Sequence, residues 1–522
     1  MCGITGIFDF WGKFVDTNHL QSMTHALEHR GPDDEGLWRE GNVALGHRRL
    51  AIIDLTSAGH QPMVSDDGRF VLVYNGEVYN YRELRKELQK KGYTFRSNTD
   101  AEVVLQAWRQ WHYASLNRFN GMFAFAIWDR ERKKLVLARD RYGIKPLYYW
   151  DNGKGLVFAS EIKAILKHPA ARVRVDYAAL NEYFTFQNIF TNHTLFEDIK
   201  TVPAGHSIDF QQGWGKSRKR KYWDFHFEDG QLLGSEEEYV EELDRLFQQT
   251  VNRQLYSDVE LGSYLSGGMD SGAITCMAAG QFSKLKTFTA GFDLSSASGL
   301  EMGFDERAKA EYLSNRYKTD QYEIVLKAGD MERVMPDLIW HLEDLRVGQC
   351  YPNYYAHQLA SRFVKVVLGG TGGDELFAGY PWRYYRTTVN DDFEHYTDKY
   401  YQYWSRLISD EDKSRFFHPS VYAGMSEHPT RQVFKQVLDN PNVPGNPSTP
   451  EQYINNSLYF ETKTFLHGLL TVEDKMSMAN SVELRVPFLD NDLVDFAMKV
   501  PVRYKLKNLA EVIRLNENEP GP

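Results

Sequence analysis

At 522 residues the chain can bury large cores and is expected to hold two or more domains. Apolar and charged contents of 42% and 25% are ordinary for a soluble globular protein, and a net charge of -10 argues against a nucleic-acid partner. No apolar run approaches the roughly 20 residues of a membrane span, Met1 to Phe10 lacks the basic region and cleavage site of a signal peptide, and three scattered cysteines make neither a disulfide framework nor a metal cluster. A reducing, cytoplasmic setting is expected.

Residues 2–212 read as an α+β layered domain, because strands come in runs with a few helices between them. The candidate strands are Gly3 to Phe10, Val43 to Asp54, Phe70 to Asn75, Met122 to Asp129, Leu135 to Asp140 and Leu156 to Ser160. Helices are expected over Thr17 to His29, over Arg82 to Lys91 behind an Asn80 cap, and over Ala101 to Trp111 behind Thr99 and Glu102 in capping-box spacing. The polar stretch 211–234 reads as a linker. Its basic run, Lys216 to Lys221, stands alone in an acidic chain and reads as a solvated loop.

Ser235 and Glu238 then open a helix whose apolar residues Val240, Leu243, Phe247 and Val251 recur at helical spacing. Strands at Gly262 to Leu265, Thr287 to Phe292, Tyr322 to Leu326 and Val364 to Leu368 alternate with helices at Asp305 to Tyr317, Asp330 to His341 and Asn353 to Phe363. That alternation predicts, for 235–522, an α/β doubly wound parallel sheet. Asn440 to Pro450 reads as a surface loop.

The sharpest motif is Leu265-Ser266-Gly267-Gly268-Met269-Asp270-Ser271, set between a buried strand and an apolar helix. Paired glycines let backbone amides converge on an anion, the two serines add hydroxyl donors, and Asp270 offers oxygen to a magnesium ion carried by phosphates. The alternative is a flexible Gly-Ser turn. Cys2 is the second sharp feature. Removal of Met1 would place a thiol and an α-amine on one residue, and that amine titrates near enough to neutral to serve the thiol as base; the alternative is an inert, packed thiol. Asn75 and Gly76 side by side can donate to an oxyanion or can simply form a hairpin turn. Arg49 can clamp a carboxylate or make a surface ion pair. Asp100 can hold an ammonium or complement a helix dipole.

Taken together, these motifs resemble a known family. The first half looks like the class II glutamine amidotransferase domain, and residues 2 to about 507 resemble glutamine-dependent asparagine synthetase. The matching landmarks are Met1-Cys2-Gly3-Ile4, His29 to Asp33, Arg49 to Asp54, Asn75-Gly76-Glu77, Asp100, Gly121 to Phe125, Ser266 to Ser271, Gly372 to Phe377, and Asp474-Lys475 leading to Arg485 to Asp490. The resemblance implies an Ntn-hydrolase αββα layering for the first domain and an ATP-pyrophosphatase-type second domain. It implies that Cys2 attacks glutamine, that Asn75 and Gly76 stabilise the oxyanion, that Arg49 binds the glutamine carboxylate, and that Glu77 and Asp100 surround its amine. Ammonia would pass inside the protein to a site where the Ser266 to Ser271 loop holds ATP pyrophosphate. There Leu265, Ala290, Gly369 and Gly370 would line the nucleotide, Asp270 and Asp374 would hold Mg2+, and Lys475 would meet the leaving pyrophosphate. A homodimer is the family's habit.

Two departures bear on the acceptor. The family usually reads Ser-Gly-Glu-Gly where this chain has Gly369-Gly370-Thr371-Gly372, so Thr371 replaces a carboxylate beside the acceptor. Glu343 to Gln349 is also an unfamiliar substrate loop. The expected acceptor is therefore aspartate, or another carboxylate in a sugar polymer or secondary metabolite. A non-enzymatic glutamine or nucleotide sensor is the third reading, and retention of reactive residues in both halves weakens it.

Overall fold

The computed structural model describes residues 1–228, 234–295, 305–443, 445 and 447–506, without the side chains of 347–349. The end of the expected linker (229–233) and the final stretch from 507 lie outside the described residues.

Strand parity builds the first domain. In chain order its strands are β1 (Cys2–Asp9), β2 (Asp34–Glu40), β3 (Val43–Arg49), β4 (Met63–Val64), β5 (Phe70–Val78) and β6 (Gly121–Asp129). They continue with β7 (Lys134–Arg139), β8 (Tyr148–Asp151), β9 (Gly155–Ala159), β10 (Ile199–Thr201), β11 (His206–Gln211) and β12 (Arg218–Lys221). They form two antiparallel sheets, β10-β8-β9-β1-β3-β2 and β12-β11-β7-β6-β5-β4. Ile4, Phe8, Val43 and Leu45 of one sheet pack with Val71, Val73, Ala124 and Ala126 of the other. The alternate residues Ile7 and Ala44 face away, onto Leu20 and Met23 of helix α1 (Thr17–His25). Leu72 and Tyr74 face the other way, among Val103 and Val104 of helix Asp100–Trp111. A period of two with both faces covered gives the expected αββα stack.

Several boundaries differ from expectation for local reasons. The Val43 strand stops at Arg49, because that guanidinium folds back on the carbonyls of Ile53, Asp54 and Thr56, and Asp54 adopts a left-handed turn at φ 55°. Helix α1 stops at His25, and a short 3-10 turn, Glu28–Arg30, carries Arg30 into the interior. Asn80 caps nothing with its side chain; it ties to the backbone of Arg118 and Asn120. The basic run is not a loop. Arg218–Lys221 is edge strand β12, where charged side chains guard an open edge, and Arg220 pairs with Asp209 at 3.1 Å.

The second domain opens with helix Glu236–Gln254, whose Ser235/Glu238 capping box is complete. Its five strands are β13 (Leu261–Tyr264), β14 (Lys286–Phe292), β15 (Asp320–Leu326), β16 (Val366–Leu368) and β17 (Glu483–Arg485). All pair in parallel, in the order β15-β14-β13-β16-β17. The chain reverses its winding between β13 and β16, which is the crevice where such sheets bind ligands. β17 was not anticipated. It is three residues long and lies after a block of helices that includes Pro450–Lys463 and Phe465–Ala479.

Candidate active sites

The first site grows from register. Cys2 is the cross-strand partner of Arg49, and both share the inward parity of their strands. Asn75 has the same parity on β5, which runs on through Val78, so Asn75-Gly76 lies within a paired strand and is no hairpin turn. Asn75 is fully buried, and its Oδ1 accepts from the Cys2 nitrogen at 2.9 Å. Its Nδ2 has no partner among the described residues. A buried amide with an idle donor beside a thiol is what an oxyanion requires. Gly76 lets the strands close up, since a Cβ there would lie 2.2 Å from the Met122 carbonyl.

Cys2, Arg49, Gly76, Glu77 and Asp100 line one cavity. Arg49 is buried and bonded only to backbone carbonyls, so its charge has no carboxylate partner among the described residues. Asp100 accepts from Tyr74 Oη (2.6 Å) and the Val78 amide (2.9 Å). Burial pushes its carboxyl up, against those donors. Glu77 stands well above its ordinary range, through burial and then the charge of Asp100, with Arg485 Nη2 3.7 Å away as partial relief. The cavity thus offers an uncommitted cation at Arg49 and an excess of carboxylate at Glu77 and Asp100. That is the complement of an α-amino acid. Burial likewise raises the Cys2 thiol, while the terminal ammonium pulls it down. With Met1 in place that ammonium pairs with Glu483 at 3.0 Å, so the second domain forms part of this cavity.

The second site lies at the winding reversal. Leu265 follows β13, Ala290 lies on β14, and Gly369 and Gly370 follow β16. Ser266 Oγ and Ser271 Oγ are 2.8 Å apart, and Ser266 Oγ accepts from the Gly268 amide at 3.1 Å. Gly268 caps the helix Met269–Ala279 through backbone alone, leaving the first-turn amides open to an anion. The two loops touch: a Cβ at Gly370 would lie 3.0 Å from the Ser271 nitrogen, and one at Gly373 would lie 2.3 Å from Asp270 Oδ2. Burial and the charge of Asp374 push the Asp270 carboxyl up to about 6. Two carboxylates close to each other across a glycine-lined crevice suit a hard, oxygen-seeking cation. Thr371, on the same loop, is half-buried.

Lys475 is buried further back. It donates to the Leu342 carbonyl (2.8 Å) and Glu343 (2.5 Å), and the Glu343 charge raises it despite burial. Between the sites runs a set of buried ion pairs that no motif announced. Arg30 donates to the Cys2 carbonyl (3.1 Å) and to Glu161 (2.8 Å) and forms an ion pair with Asp474 at 2.9 Å, and Lys145 meets Asp474 at 3.3 Å. Arg30 lies in the His29 to Asp33 landmark and Asp474 beside Lys475, so the sequence located them without giving them partners. Among the described residues no helix is long and apolar enough to cross a membrane.

Comparison with known proteins agrees with this division. A model of the glutamine amidotransferase domain matches residues 1–223, and a model of asparagine synthase matches residues 242–515. The chain is 32% identical to asparagine synthetase [glutamine-hydrolyzing] 3 of Bacillus subtilis, over 98% of this chain and 83% of the relative. It is 33% identical to asparagine synthetase [glutamine-hydrolyzing] 1 of the same organism, over 97% and 82%. It is also 28% identical to amidase chyE of Penicillium rubens, over 98% and 84%.

Proposed function

We propose, for a chain that belongs to the glutamine-hydrolysing asparagine synthetase family and is an ATP-dependent ligase, that the acid it amidates is aspartate. In this reading residues 2–212 hydrolyse glutamine and residues 235–522 activate the acid. Cys2, freed of Met1, attacks the glutamine side-chain amide, with its own α-amine as base. Asn75 Nδ2 and the Gly76 amide receive the oxyanion, Arg49 takes the carboxylate, and Glu77 with Asp100 take the ammonium. The observation that carries this is one cavity in which a guanidinium without a carboxylate partner among the described residues and two surplus carboxylates surround one thiol, with the Asn75 amide and its idle donor bonded to the same cysteine.

In this reading ammonia crosses the apolar contact between the two domains. Met1, Leu50, Ile52, Val78 and Met122 from the first domain belong to one buried cluster with Leu368, Leu484 and Val486 of the second. Apolar surroundings of this kind favour unprotonated ammonia and exclude water from the activated acid. At the second site the Ser266 to Ser271 loop orients the ATP phosphates, and Leu265, Ala290, Gly369 and Gly370 frame the nucleotide through backbone groups. Asp270 and Asp374 would hold Mg2+, which neutralises charge on the departing pyrophosphate. Lys475 adds a fixed positive charge for the same group.

A second reading keeps all of this and changes the acid. It is carried by Thr371, which leaves the acceptor side of the crevice without an expected carboxylate. ATP–pyrophosphate exchange screened over aspartate and other carboxylic acids tests the choice. Aspartate-dependent exchange supports the first reading; exchange with another acid and none with aspartate moves the conclusion to the second.

A further inference from the structure

Lys475 belongs to the second domain, yet the group that orients it is gripped by the first. Glu343 sits in a left-handed turn (φ 56°) at the end of helix Asp330–Leu342. Its carboxylate accepts from the backbone amides of Ile162 (2.9 Å) and Lys163 (2.5 Å) and pairs with Lys163 Nζ at 3.1 Å. Its other strong contact is Lys475 Nζ. The Lys163 ammonium also pairs with Glu161, which in turn holds Arg30 and His29. Lys163, Glu343 and Lys475 side chains are all at least 95% buried, at 4%, 5% and 1% exposure.

Buried ion pairs return little net stability, because desolvation consumes the Coulomb gain. Their use lies in fixing geometry. Here the geometry fixed is that of a charge in the synthetase half, by groups of the glutaminase half.

We propose that Lys163 is a positioning residue of the synthetase site, contributed by the glutaminase domain, which holds Glu343 against Lys475 so that the Lys475 ammonium is set for the pyrophosphate. The synthetase site is then incomplete without residues 161–163. This rests on the ligase reading above. Without Lys163, Glu343 would keep two backbone donors and one ammonium, Glu161 would lose a cation, and Lys475 could follow Glu343 out of position.

The groups facing Glu343 are Lys163 and Glu161 from the first domain, Lys475 from helix Phe465–Ala479, and His341 on its own helix. Burial pushes the Glu343 carboxyl up; Lys163 first and Lys475 second more than offset it, leaving it below its ordinary range. Loss of Lys163 therefore raises it, and activity that needs the carboxylate ionised fails at a higher pH as pH falls.

The test is acid-dependent ATP–pyrophosphate exchange and free-ammonia-driven amide formation, measured without glutamine, in Lys163→Met and Lys163→Arg. Glutamine hydrolysis at Cys2 serves as the control for folding. In Lys163→Met the exchange kcat should fall on the order of 100-fold, the loss expected from misplacing a catalytic group by about an ångström. The acid limb of its pH profile should move upward, and glutamine hydrolysis should persist. Lys163→Arg should return the acid limb toward the wild-type position, because it restores the charge. If Lys163→Met does not fold, the charge-balanced pair Glu161→Gln with Lys163→Met takes its place. A folded variant lacking the Lys163 ammonium, with wild-type exchange kcat and acid limb, overturns the assignment. Absence of exchange with every acid in the wild-type protein would instead overturn the ligase reading and the role of Lys163 with it.

Discussion

Replacing Asn75 with alanine removes both polar atoms that the structure places beside Cys2. The Oδ1 acceptor holds the Cys2 nitrogen at 2.9 Å, and the Nδ2 donor has no partner among the described residues. Loss of one preorganised oxyanion donor costs about 2.7–4 kcal/mol in the transition state, or roughly 100- to 1,000-fold in kcat. Loss of the acceptor strands a buried donor at about 1–3 kcal/mol of folding stability, which a domain of this size tolerates. The KM for glutamine should change little, because Arg49, Glu77 and Asp100 hold the amino-acid end. The assay is glutamate release at saturating glutamine, run beside amide synthesis from free ammonia, which does not use Asn75 and should stay at the wild-type rate. A kcat for glutamine hydrolysis within about 10-fold of wild type, less than the loss of one oxyanion donor, would refute the reasoning. So would equal losses in the glutamine- and ammonia-driven reactions.

Retaining Met1, for example behind an uncleaved amino-terminal extension, should abolish glutamine hydrolysis and leave ammonia-driven synthesis intact, as intact-mass analysis paired with both assays would check; in the structure the Met1 ammonium occupies Glu483 within the cavity. Glu77 carries a raised carboxyl, and substrate ammonium favours its ionised form, so glutamine binding should expel a proton and kcat/KM for glutamine should fall as pH drops through that raised range. Calorimetry in buffers of different ionisation enthalpy would detect the proton, and Glu77→Gln should remove it. Gly373→Ala would drive a methyl against Asp270 Oδ2 and should eliminate pyrophosphate exchange while glutamine hydrolysis continues; exchange at the wild-type rate would show that the two loops do not share one site.

The layers, and the motifs that mark both candidate sites, were readable because each depends on short-range pattern. Short strand-forming runs bounded by turn signals marked β1, β5 and β6, and a glycine pair between strand and helix marked the anion loop. Asn75-Gly76 stayed ambiguous because the same dipeptide serves a tight turn and a close strand approach; only pairing with Ala124 and Phe123 decides between them. Strand β17 is too short to show a period, and its worth lies in what it carries: Glu483 reaches the Met1 ammonium across 482 residues of sequence, and Arg485 stands 3.7 Å from Glu77. Lys163 and Glu343 share that difficulty. Each is an ordinary charged residue in its own neighbourhood and gains meaning only when the two domains are docked.

The most direct measurement follows the amide nitrogen of glutamine. With glutamine labelled at that nitrogen, ATP, Mg2+, aspartate and an excess of unlabelled ammonium, the expected product is asparagine carrying the label, formed together with glutamate, AMP and pyrophosphate. Labelled ammonium in solution with unlabelled asparagine would contradict an internal route. No asparagine, with ATP cleaved in the presence of a different acid, would contradict aspartate as the acceptor.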